Sequence, residues 1–545
     1  MFTEIKRLNV FDYSDSELIS QIHTTCVEQG IPLVIEKYHL KQNWNAAIFT
    51  QNWLRDNYGQ QEITARDMLT RTDEIMKLSE YLDFVEKAPI IEKTGEEKKR
   101  LYGKDIICPQ GWKDAIDEFL PNYFTYHDVN DLMVNYNYIF TEFGNRTPLH
   151  KDMCASFGHN IMVSADPGAF STWYMVRSED ADKMQSLLKT INQDIDLECY
   201  TATPEFLSTA DFTVYKTDQH IGDLVLVPSE SCHEVINEGC CTIKISWNRV
   251  TPYSIKSALE TGLPNYHRVL RPETYNIKRI IYYSIIKWTI GFGLVNVNDF
   301  KKMKFEGSDS GTLKKYIDTI CSQPGRDIKA EYKTLILSFK KLIEEEWVNA
   351  EAWDDRKKLM KLTNNHESGL VCDYCHCNIW NRHYHCYSCQ TEDETYFDLC
   401  LQCYASGRGC QHFMYLRRHL KMRHILKVYK SARDTYYKKF DQDPLLPSTI
   451  ELEGSIGTSS YDLWKASYED LEPPTPLPHP NIKLQPKKSK SNNKAHTNSD
   501  TKTCNNKNQC KILSMDLEVA QEENSNNSTF DAELAELNIV TGIRF

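Results

Sequence analysis

The chain has 545 residues, a formal net charge of −12, 41% hydrophobic and 11% aromatic residues. That length predicts about three domains rather than one, and the composition allows a real core. The acidic balance argues against a surface that wraps nucleic acid as a whole, and the sequence has no apolar run long enough to span a membrane. Met1-Phe-Thr-Glu-Ile-Lys lacks the apolar stretch of a signal peptide. Eight of the 18 cysteines lie between positions 372 and 410. Clustered cysteine pairs in a chain without a secretion signal point to metal rather than disulfides.

In chain order, Ser14–Gln29 reads as a helix, with Ser14 as N-cap and Leu18, Ile19 and Ile22 at helical spacing. Ile31–Ile35 reads as a short buried strand, and Ala47–Tyr58 as an apolar helix carrying Phe49, Trp53 and Leu54. Leu101–Asp105 and Trp112–Leu120 are further ordered pieces, while the Glu92–Arg100 charge run reads as a solvated loop or helix face. Val134–Phe140 is an aromatic, strand-like run; Tyr136 and Tyr138 fit core aromatics better than pocket residues.

The stretch Thr147-Pro-Leu-His-Lys-Asp152 follows that run. On extended backbone, His150 and Asp152 point the same way, because side chains alternate with a period of two. Gly222-Asp223 and the apolar strand Leu224–Val227 lead through Pro228 to His233. Two histidines and one carboxylate on one face of an ion leave its other positions open, the arrangement of non-haem Fe(II) oxygenases. Cys241–Asn248 then alternates: Ile243, Ile245 and Trp247 take one face, and Thr242, Lys244, Ser246 and Asn248 the other. Ligands on two strands of a small β-barrel would make a rigid metal cup.

The segments Thr-Pro-Leu-His-Lys-Asp and Gly-Asp-Leu-Val-Leu-Val-Pro…His-Glu-Val-Ile-Asn resemble a Jumonji C (JmjC) domain over about the first half of the chain. The resemblance implies a double-stranded β-helix (a cupin-type barrel) binding Fe(II) and 2-oxoglutarate, in a family whose members demethylate histone lysines or hydroxylate proteins. By position, His150, Asp152 and His233 would be the iron ligands. Thr147 and Asn160 would contact 2-oxoglutarate, with Ser246 and Asn248 lining the site. One position departs. The family's usual lysine, two residues before an aromatic on the strand after His-x-Asp, would pair with the far carboxylate of 2-oxoglutarate; here Ser171 stands two before Trp173. A neutral hydroxyl does not replace a charge-assisted bond. Either the cosubstrate is lost or another cation serves. Lys244 is the candidate, against a reading in which it snorkels to solvent from an edge strand.

Residues 250 to 365 turn helical, notably Tyr275–Phe292 and Asp327–Val348, and read as a cap that stabilises the barrel. Gly307–Gly311 reads as a loop. Between 372 and 412 stand three Cys-x2-Cys knuckles, at Cys372/Cys375, Cys386/Cys389 and Cys400/Cys403, then Cys410 and His412. Each knuckle offers two thiolates to a tetrahedral Zn(2+), and a second pair closes the site. The order resembles a ZZ-type zinc finger. On that analogy Cys372, Cys375, Cys400 and Cys403 hold one zinc. Cys386, Cys389, Cys410 and His412 hold a second, with His419 an alternative ligand and Cys377 and His383 spare. ZZ fingers bind protein tails, including histone tails. Arg417, Arg418, Lys421 and Arg423 fall on an expected helix, as a solvated basic face. The proline-rich Glu472–Pro480 reads as a stiff linker and Lys487 to Gln509 as disordered, with a lysine cluster that fits nuclear import as well as a solvated tail; Asp531–Ile539 fits a short helix.

The resulting expectation is an α+β chain in five parts. These are a buttress at 1–120, a JmjC domain at 121–265, a helical extension at 266–365, a ZZ-like finger at 370–425, and a linker with a mostly disordered tail at 426–545. The function expected is a nuclear Fe(II)- and 2-oxoglutarate-dependent dioxygenase on chromatin, most simply a histone lysine demethylase that meets histone tails. No membrane and no sequence-specific DNA reading are expected. A catalytically inactive JmjC scaffold that binds chromatin, and a protein side-chain hydroxylase, are the alternatives.

Overall fold

The computed structural model describes residues 2–67, 70, 72–92, 101–121, 138–143, 146–239, 241–295, 310–348, 360–361, 370–390, 396–420 and 422–440. Tyr136, most of the Glu92–Arg100 run, Lys421 and the sequence beyond 440, with its linker, lysine cluster and last expected helix, lie outside them.

Strands are numbered in chain order. The first seven are β1 (Thr3–Glu4), β2 (Lys6–Asn9), β3 (Leu33–Glu36), β4 (Glu62–Asp67), β5 (Asp73–Lys77), β6 (Leu101–Ile107) and β7 (Tyr138–Phe143). Next come β8 (Arg146–His150), β9 (Phe157–Ala165), β10 (Phe170–Val176), β11 (Val214–Gln219), β12 (Leu224–Val227), β13 (His233–Glu238) and β14 (Cys241–Arg249). The last four are β15 (Met360–Lys361), β16 (Arg382–Gln390), β17 (Tyr396–Cys400) and β18 (Tyr415–Arg418).

Among the described residues three sheets form: β1-β11-β10-β13-β8, β2-β3-β12-β9-β14-β7-β6-β4-β5, and β15-β18-β16-β17. The chain passes repeatedly between the first two. Ile5 bridges β1 and β2, and the pairs β7/β8, β9/β10, β11/β12 and β13/β14 each put one member in each sheet. Ile5, Val34, Trp173, Met175, Val225, Val227 and Val235 are buried together between them. The expected double-stranded β-helix is met in outline: the fold is mixed α/β, with two opposed sheets held by side-chain packing, and among the described residues neither sheet closes on itself by hydrogen bonds.

β14 explains the alternation seen in its sequence. It lies between β9 and β7 with almost every residue buried. Ile243, Ile245 and Trp247 pack with Leu18, Ile22 and Trp112 from the outer helices. The opposite, polar face is turned to the other sheet. Lys244 is 1% exposed, which removes the edge-strand snorkelling reading.

The flanking helices follow local rules, with shorter bounds than expected. Ser14 caps Asp15–Ile22 in a reciprocal box with Glu17, after which His23–Glu28 continues as a π-helical turn. The second helix runs Gln51–Tyr58 rather than from position 47, because the Thr50 hydroxyl accepts Trp53 N–H at 3.1 Å and starts it there.

Helices Ile277–Gly291, Ser310–Ser322, Ile328–Val348 and Met422–Phe440 share one core, which also holds Cys154, Ala155 and Val250 beside the first metal-ligating turn. Residues 426–440, assigned by sequence to the linker, are thus corrected to helix. Ile425, Val428, Tyr429, Ala432 and Tyr436 make a buried stripe at helical spacing. Arg417 and Arg418 are corrected too: they lie on strand β18, not on a helix. None of the described helices is long and apolar enough to cross a membrane.

Candidate active site and metal centres

His150 ends β8 and His233 begins β13, and the two are cross-strand partners with ring centroids 4.1 Å apart. His150 Nδ1 donates to the Pro148 carbonyl at 2.8 Å, and His233 Nδ1 to the Ser231 carbonyl at 3.0 Å. Each imidazole therefore carries its proton on Nδ1 and offers the Nε2 lone pair. Asp152 follows the strand on extended backbone (φ −59°, ψ 145°) and accepts a hydrogen bond from Asn248. One donor atom from each of His150, Asp152 and His233 lies within 4.8 Å of the others. Desolvation lowers both histidines to about 4 and raises Asp152 to about 6. At neutral pH the set is two neutral imidazoles and a carboxylate.

Room for Asp152 comes from Gly158 on β9. A Cβ there would stand 2.0 Å from Asp152 Oδ2. The neighbouring wall is rigid. Trp173 lies parallel to the His233 ring (5.9 Å, 19°) and donates through Nε1 to Gln219 Oε1 at 2.9 Å. Gln219 Nε2 in turn contacts Asn160 Oδ1 (3.1 Å), Asn160 O (3.0 Å) and Asp223 O (3.1 Å).

The same interior face carries the remaining expected site residues. Asn160 pairs with Ser246 between β9 and β14, and Thr147 with Val235 between β8 and β13. Farther along, Lys244 Nζ donates to Asn237 Oδ1 at 2.6 Å. Ser171 Oγ donates to that same oxygen at 2.7 Å and is fully buried. The side chain that replaces the expected lysine and the lysine of a different strand thus meet on one atom. Asn237 had not been singled out, although it sits four residues after His233, on the same face of β13.

A cleft opens beside Asp152, lined by Lys151, Asp196, Glu198, Glu230, Tyr266 and Arg271 among others. Lys151 bridges Asp196 (3.1 Å) and Glu230 (3.0 Å), and Arg271 pairs with Glu198 at 2.5 Å.

The cysteine-rich module lies against the helices. Glu273 accepts Ile277 N–H (2.8 Å) and Asn378 N–H (2.9 Å), and the Trp380 ring packs on Tyr282 at 5.5 Å. Cys372 contacts the thiols of Cys375, Cys400 and Cys403. A fifth donor joins them: His267 Nε2 stands 3.1 Å from Cys403 Sγ, and His267, Cys375, Cys400 and Cys403 form one metal-sized cluster. His267 lies on the helix Leu263–Val269, and no local pattern marks it. Cys386, Cys389, Cys410 and His412 form a second cluster, with Cys389 Sγ 3.2 Å from His412 Nδ1. His419, the alternative ligand there, instead lies beside His383, 5.9 Å between ring centroids.

Residues 139–248 match the family model described as JmjC domain, hydroxylase. The chain is also similar to the C-module-binding factor A of Dictyostelium discoideum, 28% identical over 432 residues, covering 75% of this chain and 41% of the relative. The chain thus spans about two fifths of the length of that relative. The domain match supports a JmjC-family protein with a cupin-like fold and 2-oxoglutarate oxygenase-like chemistry, and it implies Fe(II) and 2-oxoglutarate. The donor set fits Fe(II): two imidazoles and a carboxylate on one side suit an octahedral ion with open positions.

Proposed function

We propose that the protein is an Fe(II)- and 2-oxoglutarate-dependent dioxygenase acting on chromatin in the nucleus, with methylated histone lysines as its substrates. The observation that carries this reading is the convergence of His150, Asp152 and His233, each oriented by a partner of its own. When bound, the iron and 2-oxoglutarate activate O2 to hydroxylate a substrate C–H, and an N-hydroxymethyl product sheds formaldehyde. His150, Asp152 and His233 hold the metal. Asn248 fixes the Asp152 carboxylate, and the Nδ1–carbonyl bonds fix both ring tautomers. Lys244 supplies the positive charge for the distal carboxylate of 2-oxoglutarate, with Thr147, Asn160 and Ser246 lining its site. Trp173, Val225, Val227 and Val235 keep water from the interior.

The cleft beside Asp152, where Asp196, Glu198 and Glu230 are paired with Lys151, Arg268 and Arg271, is the place where a substrate tail would enter. The zinc module, with four-ligand structural sites of the ZZ type, anchors such a tail close by and raises its effective concentration. The test is succinate release from purified protein with methylated histone peptides, followed by mass spectrometry of the peptide. Loss of a methyl group supports demethylation. Gain of an oxygen replaces it with side-chain hydroxylation, a reading compatible with the word hydroxylase in the matching family's description.

A second reading has its own support: the barrel holds a metal but serves as a binding scaffold. The relative is named as a binding factor, and Ser171 stands where a lysine is usual. Absence of 2-oxoglutarate turnover with every peptide, together with intact metal binding, selects this reading.

A further inference from the structure

We propose that His383, His385 and Asp398, with His419 at the edge, form a third metal site in the cysteine-rich module, one that takes a zinc-like divalent ion through nitrogen and carboxylate ligands alone. Strand β16 is central in its sheet, with β17 on one side and β18 on the other. His383 and His385 are two apart on it and so share a face. Asp398 of β17 is the cross-strand partner of His385. All three are buried, at 0%, 2% and 7% exposure. His385 Nδ1 stands 2.7 Å and His383 Nε2 3.4 Å from the same atom, Asp398 Oδ1. Their donor atoms fall within 4.8 Å of one another.

The burial calls for an explanation. His383 is within reach of the Asn381 backbone but its ring nitrogens make no well-formed hydrogen bond, and His385 Nε2 makes none. Interior polar atoms almost always find partners, and leaving several in one small module is costly. An ion held by His383 Nε2, His385 Nδ1 and Asp398 Oδ1 gives the His383 Nε2 lone pair its partner. Metal–nitrogen and metal–oxygen bonds near 2.0–2.2 Å put tetrahedral ligand atoms about 3.3 Å apart. The His383–Asp398 separation meets that, and the His385–Asp398 pair opens by about half an ångström. Asp398 is already braced from the other side, where its N–H donates to Asp373 Oδ2 at 2.5 Å. The donor types match those of the first site, two imidazoles and a carboxylate, although here the i, i+2 pair is His383 and His385 and the carboxylate comes from the next strand. Such ligands suit first-row divalent ions, zinc foremost by availability. Arg417, partner of His383 across β18, is the opposing charge; its guanidinium is turned over the Tyr387 ring at 5.7 Å.

The test is Co(II) titration of the metal-free chain of 545 residues. Thiolate-bound cobalt shows ligand-to-metal charge transfer, whereas His and carboxylate sites show weak d–d bands alone. Wild type should bind cobalt at two sites without charge transfer. Asp152→Ala should lose one of them, and His385→Gln the other, each with the thiolate bands intact. The proposal is overturned if His385→Gln binds as much cobalt as wild type, which would leave a hydrogen-bonded His–Asp–His network. Should His385→Gln lose the thiolate bands by unfolding, Asp152→Ala decides on its own: binding confined to the thiolate sites overturns the proposal, and a remaining d–d site supports it.

Discussion

Replacing Lys244 should separate cosubstrate binding from metal binding. Its Nζ lies 2.6 Å from Asn237 Oδ1, the residue is 1% exposed, and Ser171 Oγ reaches the same oxygen at 2.7 Å. No charge stands at position 171, so a dianionic cosubstrate that uses this end of the site depends on Lys244. Two unit charges about 4 Å apart interact by roughly 4 kcal/mol at an effective dielectric near 20, and part of that is offset by desolvating the ligand. A net loss of about 3 kcal/mol corresponds to roughly a hundredfold in affinity. Lys244→Met is the better variant than Ala, because it keeps the buried stem and leaves no large cavity. The assay is calorimetric titration of 2-oxoglutarate, with Fe(II) replaced by a redox-inert divalent ion and thermal unfolding as the control for fold. Metal affinity should not change. Ser171→Lys in the Lys244→Met background should recover much of the loss, since both positions converge on Asn237. Equal 2-oxoglutarate affinity in wild type and Lys244→Met would refute the reasoning, and no binding in either would favour the scaffold.

Asp152→Ala should abolish metal binding at the first site with little change in melting temperature; full occupancy in that variant would dismiss the ligand assignment. Gly158→Ala places a Cβ about where Asp152 Oδ2 now sits, 2.0 Å away, and should cost metal affinity on the order of ten- to a hundredfold, read by competition with a chelator. Acid should weaken the same site in a fixed order. Asp152, raised to about 6, must release its proton before binding, so apparent affinity falls about tenfold per unit as pH drops below about 6, and more steeply below about 4 as His150 and His233 protonate. A flat profile from pH 7 to 5 contradicts this. Cys400→Ser should make the module protease-sensitive, because a structural zinc supplies its folding energy. His267→Gln should leave the zinc bound but weaken the docking of module on helix, seen as a separate, earlier thermal transition; a single unchanged transition would assign His267 no such role.

Local chemistry was legible from the sequence because its signals are local. The i, i+2 spacing of His150 and Asp152, the Cys-x2-Cys knuckles, the Ser14 cap and the stripes of Ile277–Gly291 and Ile328–Val348 all act within a few residues. The period-two alternation of Cys241–Asn248 was legible too, and it correctly put Lys244 with Ser246 and Asn248. It did not say which face was covered, because that depends on β9, β7 and the opposing sheet, all distant in sequence. For the same reason Asn237 as the meeting point of Ser171 and Lys244, and His267 beside a thiol 136 residues later, belong to tertiary structure alone. The third histidine cluster arises from two strands and a turn brought together, and His383 looked spare until β17 placed Asp398 against its neighbour. Whether two sheets close into a barrel or face each other open is likewise decided by long-range pairing and side-chain packing, which no window of the sequence contains.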